Sequence, residues 1–143
     1  MCPSDGKRTS GIRSESGFTF IEVLVVTVLI GILAAIALPA LLGQRQKGQD
    51  ADAKALVRAG VGTLETYAAE RGGYDATRAQ VLADTPELSG AVAWTLTSSL
   101  AEYTIAVTSK SGGVFRVHRA VATPPDRTCS RPGDGACLPN GTW

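Results

Sequence analysis

Two sets of residues in this chain have types and spacing suited to chemistry: a solitary carboxylate, Glu22, and a cysteine pair, Cys129 and Cys137. Glu22 stands at the start of an apolar run in which Val23 to Leu38 carries no charge and only Thr27 and Gly31 as non-apolar positions. An ionised carboxylate within a bilayer costs on the order of 3 kcal/mol or more, so Glu22 is expected to require a cationic partner. A disulfide between Cys129 and Cys137 would close a loop of about nine residues and contribute roughly 2.5 kcal/mol in the chain-entropy model. It needs the oxidising compartment that export supplies. The other readings are two free buried thiols or half a metal site, but His118 is the single histidine and no four-ligand set completes itself. Cys2 stands apart at the other end of the chain.

Other chemistry is missing. There is no nucleophile, base and orienting triad, no phosphate loop, no zinc motif and no dinucleotide fingerprint. Gly60-Val61-Gly62 lies on a helical stripe without the preceding strand that a phosphate site requires. No catalytic residue, metal or cofactor is therefore expected, and no enzymatic activity. His118 beside Arg116 in a strand reads as a solvated residue. Asp126 and Asp134 lack a recognisable calcium-loop pattern. The formal charge of +1 over 143 residues excludes a strongly basic nucleic-acid binder. Beyond residue 91, Lys110, Arg116, Arg119, Arg127 and Arg131 outnumber Glu102, Asp126 and Asp134; they read as a solvated basic face, with DNA contact through phosphates as the weaker alternative.

The elements that position these residues follow from periodicity. Residues 1–17 are polar and without apolar pattern, as in a segment that does not fold alone. In them Lys7, Arg8 and Arg13 outnumber Asp5 and Glu15, a bias toward the cytoplasmic side. The stretch 18–42 would cover roughly 37 Å as a helix, enough to cross a hydrocarbon core of about 30 Å. Gly31, Ala34, Ala35 and Ala37 permit close approach of other helices. Pro39 removes a backbone donor and predicts a kink or loosening; with Gly43 and Gly48 it marks residues 39–48 as a flexible joint.

Residues 43–72 continue the helix in amphipathic form. Ala53, Leu56, Val57, Gly60, Val61, Leu64, Tyr67 and Ala68 make one apolar stripe, with Lys54, Arg58, Glu65, Glu70 and Arg71 mostly off it. Gly72-Gly73 stops the helix, which from Phe18 to Arg71 would be about 80 Å long. In residues 73–143, Tyr74 to Gly90 reads as a surface connection with a helical turn at 77–83. Strands are predicted at Val92–Leu96, Tyr103–Thr108 and Val114–Ala122, the last two joined as a hairpin through Ser111-Gly112-Gly113. The fold class is α+β: a long N-terminal helix, half membrane-type and half amphipathic, packed on one face of a small antiparallel sheet.

Gly17-Phe18-Thr19-Phe20-Ile21-Glu22, the apolar helix and Pro39 together resemble the amino-terminal signature of type IV pilins and the related pseudopilins. Phe20 takes a position more often filled by leucine. The resemblance implies a pilin-like fold, a leader cut between Gly17 and Phe18 by prepilin peptidase, and N-methylation of Phe18. It also implies that Glu22 and Pro39 serve assembly. Phe18 and Glu22 stand at i and i+4, on one helical face, so the amine freed by the cut, with an unperturbed pKa of about 8, would supply the missing cation, from its own chain or from a neighbour. A C-terminal disulfide loop would by the same resemblance be displayed on the filament surface.

The implied partners are prepilin peptidase, other pilin subunits, the cytoplasmic membrane before assembly and a pilus assembly platform. The implied location is a single-pass cytoplasmic-membrane precursor with a cytoplasmic N-terminus, then an extracellular pilus serving adhesion, motility or DNA uptake. A type II secretion pseudopilin, some of which bind calcium in a C-terminal loop, is the alternative. A third reading is a secreted binding domain behind a conventional signal peptide cut after Ala35-Ile36-Ala37.

Overall fold

A computed structural model of the chain describes residues 17–143; the leader reading for residues 1–16, with Cys2, lies outside the described residues. The chain divides into two units, one ending at Ala37 and the other formed by Leu38–Trp143. Helix α1, Phe20–Arg71, begins in the first and ends in the second. It starts two residues later than Phe18, because Thr19 acts as its cap.

In the first unit the side chains of α1 from Phe20 to Leu33 are exposed, and the helix's most apolar 18-residue window has no buried share. A helix that is apolar all round and unburied by its own chain needs lipid or other helices around it. α1 is continuous through Pro39, Gly43 and Gly48, so the joint expected at 39–48 is not a break in helical structure.

In the second unit the amphipathic stripe closes on a sheet. Ala53, Val57, Gly60 and Leu64 are buried, while Leu56, Val61, Tyr67 and Ala68 pack at the edges of the core. Gly60 has a packing reason: a Cβ there would run into Ile105 Cδ1 and lie 3.5 Å from Leu88 Cδ1, so its absence lets α1 approach the sheet closely. The helix ends at Arg71, where the Gly72 N–H donates to the Ala68 carbonyl at 2.8 Å.

The connection that follows is more ordered than a surface loop. Thr77 caps α2, Arg78–Asp84, accepting from the Gln80 N–H at 3.3 Å while Gln80 Oε1 accepts from the Thr77 N–H at 2.8 Å. This reciprocal arrangement satisfies two of the donors that a helix start leaves unpaired. α2 anchors through Val81, and the short 3₁₀ helix Pro86–Gly90 anchors through Leu88, both buried in the core.

The sheet is an antiparallel meander of β1 (Ala93–Ser98), β2 (Glu102–Thr108), β3 (Val114–Ala120) and β4 (Asp126–Cys129), in that order. The register aligns Trp94, Val107, Phe115 and Cys129 across the four strands, and Leu96, Ile105, Val117 and Arg127 beside them. Trp94, Tyr103, Ile105, Val107, Phe115 and Val117 are buried.

The observed strands differ from the expected ones in three places. β1 runs to Ser98 rather than Leu96, paired with β2 as far as Tyr103. β3 ends at Ala120 rather than Ala122: Ala122 has a φ of 65°, the Thr123 N–H folds back to the Ala120 carbonyl at 3.1 Å, and Val121 is left exposed. β4 has no apolar alternation to announce it. Asp-Arg-Thr-Cys becomes a strand because β3 offers an open edge of backbone donors and acceptors.

The two central glycines of α1 should respond oppositely to substitution. Gly60→Val overpacks the Ile105 contact and should destabilise the chain by about 1–3 kcal/mol. Gly62→Ala, with open space at its Cβ, should stabilise by up to about 1 kcal/mol through helix propensity. Thermal unfolding of the full-length protein in detergent, followed by circular dichroism, reads both.

Candidate functional site

The start of α1 is built from Thr19 and Glu22. The Thr19 N–H and hydroxyl both donate to Glu22 Oε2, at 2.9 and 2.8 Å, and the Glu22 N–H reaches back to Thr19 Oγ1 at 3.3 Å. This is a capping box, in which a Thr and a Glu three residues on satisfy each other's backbone donors. The Thr-x-x-Glu spacing that announces it is plain in the sequence, beside the charge that Glu22 brings. Both bonds use Oε2, and among the described residues no hydrogen bond falls on Oε1. Gly17 and Phe18 precede the box, and Phe18 is 87% exposed. The backbone N–H held by Glu22 belongs to the residue immediately after Phe18.

At the other end, Cys129 and Cys137 form a disulfide, with Cα atoms 5.8 Å apart. The loop shows two sides. Residues 130–134 are exposed, whereas Cys137 is buried and the inner edge is clasped to α1. Gln46 Nε2 donates to Asp134 Oδ1 at 2.8 Å, the Ala136 N–H donates to Asp50 Oδ2 at 3.0 Å, and Lys54 Nζ donates to the Ala136 carbonyl. Lys54 lies beside the buried stripe, and the loop is what brings it into use.

Asp50, absent from the sequence reading, is the centre of this clasp. It is 2% exposed, and its other oxygen accepts from Ser111 Oγ in the β2–β3 turn. Burial pushes its carboxyl pKa up, but the bonds from Ser111, the Ala136 N–H and Ser109, with the Lys54 charge, outweigh this and hold it below the usual carboxylate range. Burial, and then the charge of Arg58, lower the pKa of Lys54 against the opposing pull of Asp50. Gly135, with a φ of 57°, gives the carboxylate room, since a Cβ there would collide with Asp50 Oδ2. An aspartate in a polar helix segment carries no local sign that it will be buried.

A second carboxylate, half-buried, joins α1 to the sheet. Glu65 accepts from Tyr103 Oη at 2.9 Å and Tyr74 Oη at 3.1 Å and pairs with Arg119 Nη1 at 3.1 Å. Burial first, and the bond to Glu65 second, raise the pKa of both phenols, so both remain donors. Glu65 is thus not the off-stripe solvent residue its spacing suggested.

The remaining candidates are dispersed. Asp126 lies opposite His118 in the strand register, whereas Asp134 contacts Gln46 and Arg131; their partners differ. Arg119 faces Glu65, Arg127 lies over Trp143, Arg131 bonds the Ser111 carbonyl and Arg116 is exposed, so these bases do not form one stripe.

Residues 12–38 match the prokaryotic N-terminal methylation motif. By this motif and by the relatives that follow, the chain is similar to type IV pilin-like proteins. This chain is 35% identical over 66 residues to the type II secretion system core protein G of Pseudomonas aeruginosa, a match covering 46% of each chain. It is 38% identical over 65 residues to the fimbrial protein EcpC of Eikenella corrodens, covering 46% of this chain and 42% of that one. The chain thus spans about half the length of the first curated relatives it matches. Similarity to the type IV wide pilus major component PilA4 of Thermus thermophilus is lower, 27%, but extends over 130 residues, 82% of this chain and 99% of that one. No solved structure matches the chain.

Asp50 sets a pH dependence. A carboxylate whose folded pKa lies below its unfolded value of about 3.9 stabilises the fold above that pH, and the stabilisation is lost as pH falls through the folded pKa. Asp50→Asn should therefore destabilise the chain by about 1–3 kcal/mol at pH 7. The difference from wild type should narrow below about pH 4, as thermal unfolding across pH would record.

Proposed function

We propose that this pilin-like chain is a structural subunit of a type IV pilus. Prepilin peptidase cuts between Gly17 and Phe18, Phe18 is N-methylated, and the precursor waits in the cytoplasmic membrane as a single-pass protein with its N-terminus in the cytoplasm. The segment from 18 to about 50 then polymerises into an extracellular filament through an assembly platform.

The observation that carries this reading is the start of α1: an exposed apolar helix whose Glu22 has its capping bonds on one oxygen and the other oxygen open. The capping box orients the carboxylate, and Oε1 remains for the amine of a neighbouring subunit. In low dielectric an unpaired carboxylate is expensive, so the pair acts as a register device along the filament, and Pro39 serves the same segment. The disulfide, which α1 clasps from within, keeps residues 130–134 turned to solvent for display.

The match to PilA4, which covers 82% of this chain and 99% of that one, favours a pilus. A type II secretion pseudopilus is the second reading, favoured by the higher identity to the core protein G relatives over 46% of the chain.

Mass spectrometry of the mature protein should find a methylated Phe18 at its start; a start at Leu38 would instead reveal a conventional signal peptide. Glu22→Ala should leave cleavage intact and reduce incorporation into filaments about tenfold or more, judged by the ratio of sheared to cell-bound protein, as expected for loss of a buried charge pair of several kcal/mol. Wild-type incorporation by that variant would sink the pairing.

A further inference from the structure

The two flanks of α1 beside its buried stripe differ in charge. On one flank Asp52, Leu56 and Ala59 border a groove of about 480 Å³ that continues to Glu87 and Val92. Its floor is apolar, with Ala53 and Ala91 beside Leu56, and its rim carries Asp52 and Glu87 against one cation, Lys110. Further along the same flank Glu70 and Asp84 line a second hollow with Thr63 and Thr66. At 3.6 residues per turn Lys54 and Arg58 fall on the opposite flank of the stripe.

There the cations gather around one ring. Lys54 Nζ lies 5.7 Å, Arg58 Cζ 5.4 Å and Arg127 Cζ 5.6 Å from the centre of Trp143, which itself packs edge-on to Phe115. Attraction to the ring holds three positive groups together that repel one another. Among the described residues the salt bridges are Arg119–Glu65 and Arg131–Asp134. Arg58 and Arg127 are exposed and have no acidic partner there, and neither do Asp52 and Glu87.

We propose that the acidic groove of one subunit receives the Arg58–Arg127–Trp143 corner of a second copy of this chain. The occupant is argued from complementarity: an apolar floor with an acidic rim matches an aromatic ring bordered by unpaired cations. Because the two surfaces are different and lie on opposite flanks of α1, the contact is heterologous, and repeating it gives an open helical array rather than a closed dimer. It rests on the filament reading above and adds to it a lateral contact between folded units, separate from Glu22.

The test uses the full-length chain in cells with its processing and assembly apparatus. Arg58→Glu with Arg127→Glu, or Asp52→Lys with Glu87→Lys, should each lower the filament fraction about tenfold through like-charge contact. Combining the two pairs should restore it. Separately, Arg58→Cys with Glu87→Cys should give, on oxidation of filaments, a ladder of multimers beyond the dimer that neither single substitution gives. Undiminished filaments from both charge-reversed variants, or intact filaments of the double-cysteine variant without a ladder, overturn the contact, including in favour of a different occupant of the groove. A wild-type chain that is cut at Gly17 but never enters a filament defeats the filament reading itself, and the contact falls with it.

Discussion

The contact between one stripe of α1 and one face of the sheet is the interaction on which the folded unit depends. Ala53, Val57, Gly60 and Leu64 meet a surface made by Ile105, Val107, Phe115 and Val117, with Leu88 wedged at its margin. A four-stranded meander has one face to bury and no second layer of its own, so it needs the helix. The helix in turn has a stripe in this segment that water would leave unburied. Gly60 sets how closely the two approach.

Polar contacts then fix the loops around that core. Asp50 and Glu65, both on α1, act where residues distant in the chain converge: Asp50 on the β2–β3 turn and the disulfide loop, Glu65 on Tyr74, Tyr103 and Arg119. Each carboxylate is satisfied by several donors, which is the condition for burying such groups without a large penalty. The disulfide loop is thus tied to the helix by more than its covalent bond, and its exposed side can vary while its inner side holds the register.

The front of the same helix follows the opposite rule. Its apolar residues face outward on every side, and its one carboxylate is turned back onto its own N-cap. These features suit a segment that passes from lipid to contact with other helices.

Much of this was legible in the order of residues. The uncharged run after Glu22, the stripe from Ala53 to Ala68, the Gly72 stop and the β2–β3 hairpin are local patterns, and local patterns determine period, length and element type. The sequence likewise carried the motif around Gly17 and Phe18, because that motif is a run of adjacent residues. What only the tertiary structure decided is which charged side chains are buried and what they meet. Asp50 lies 61 residues from Ser111 in the chain, Glu65 lies 38 from Tyr103, and β4 exists because β3 has an edge. Glu22 belongs to both: its place was written in the sequence, but which of its oxygens is occupied depends on the three-dimensional turn of the chain at Thr19.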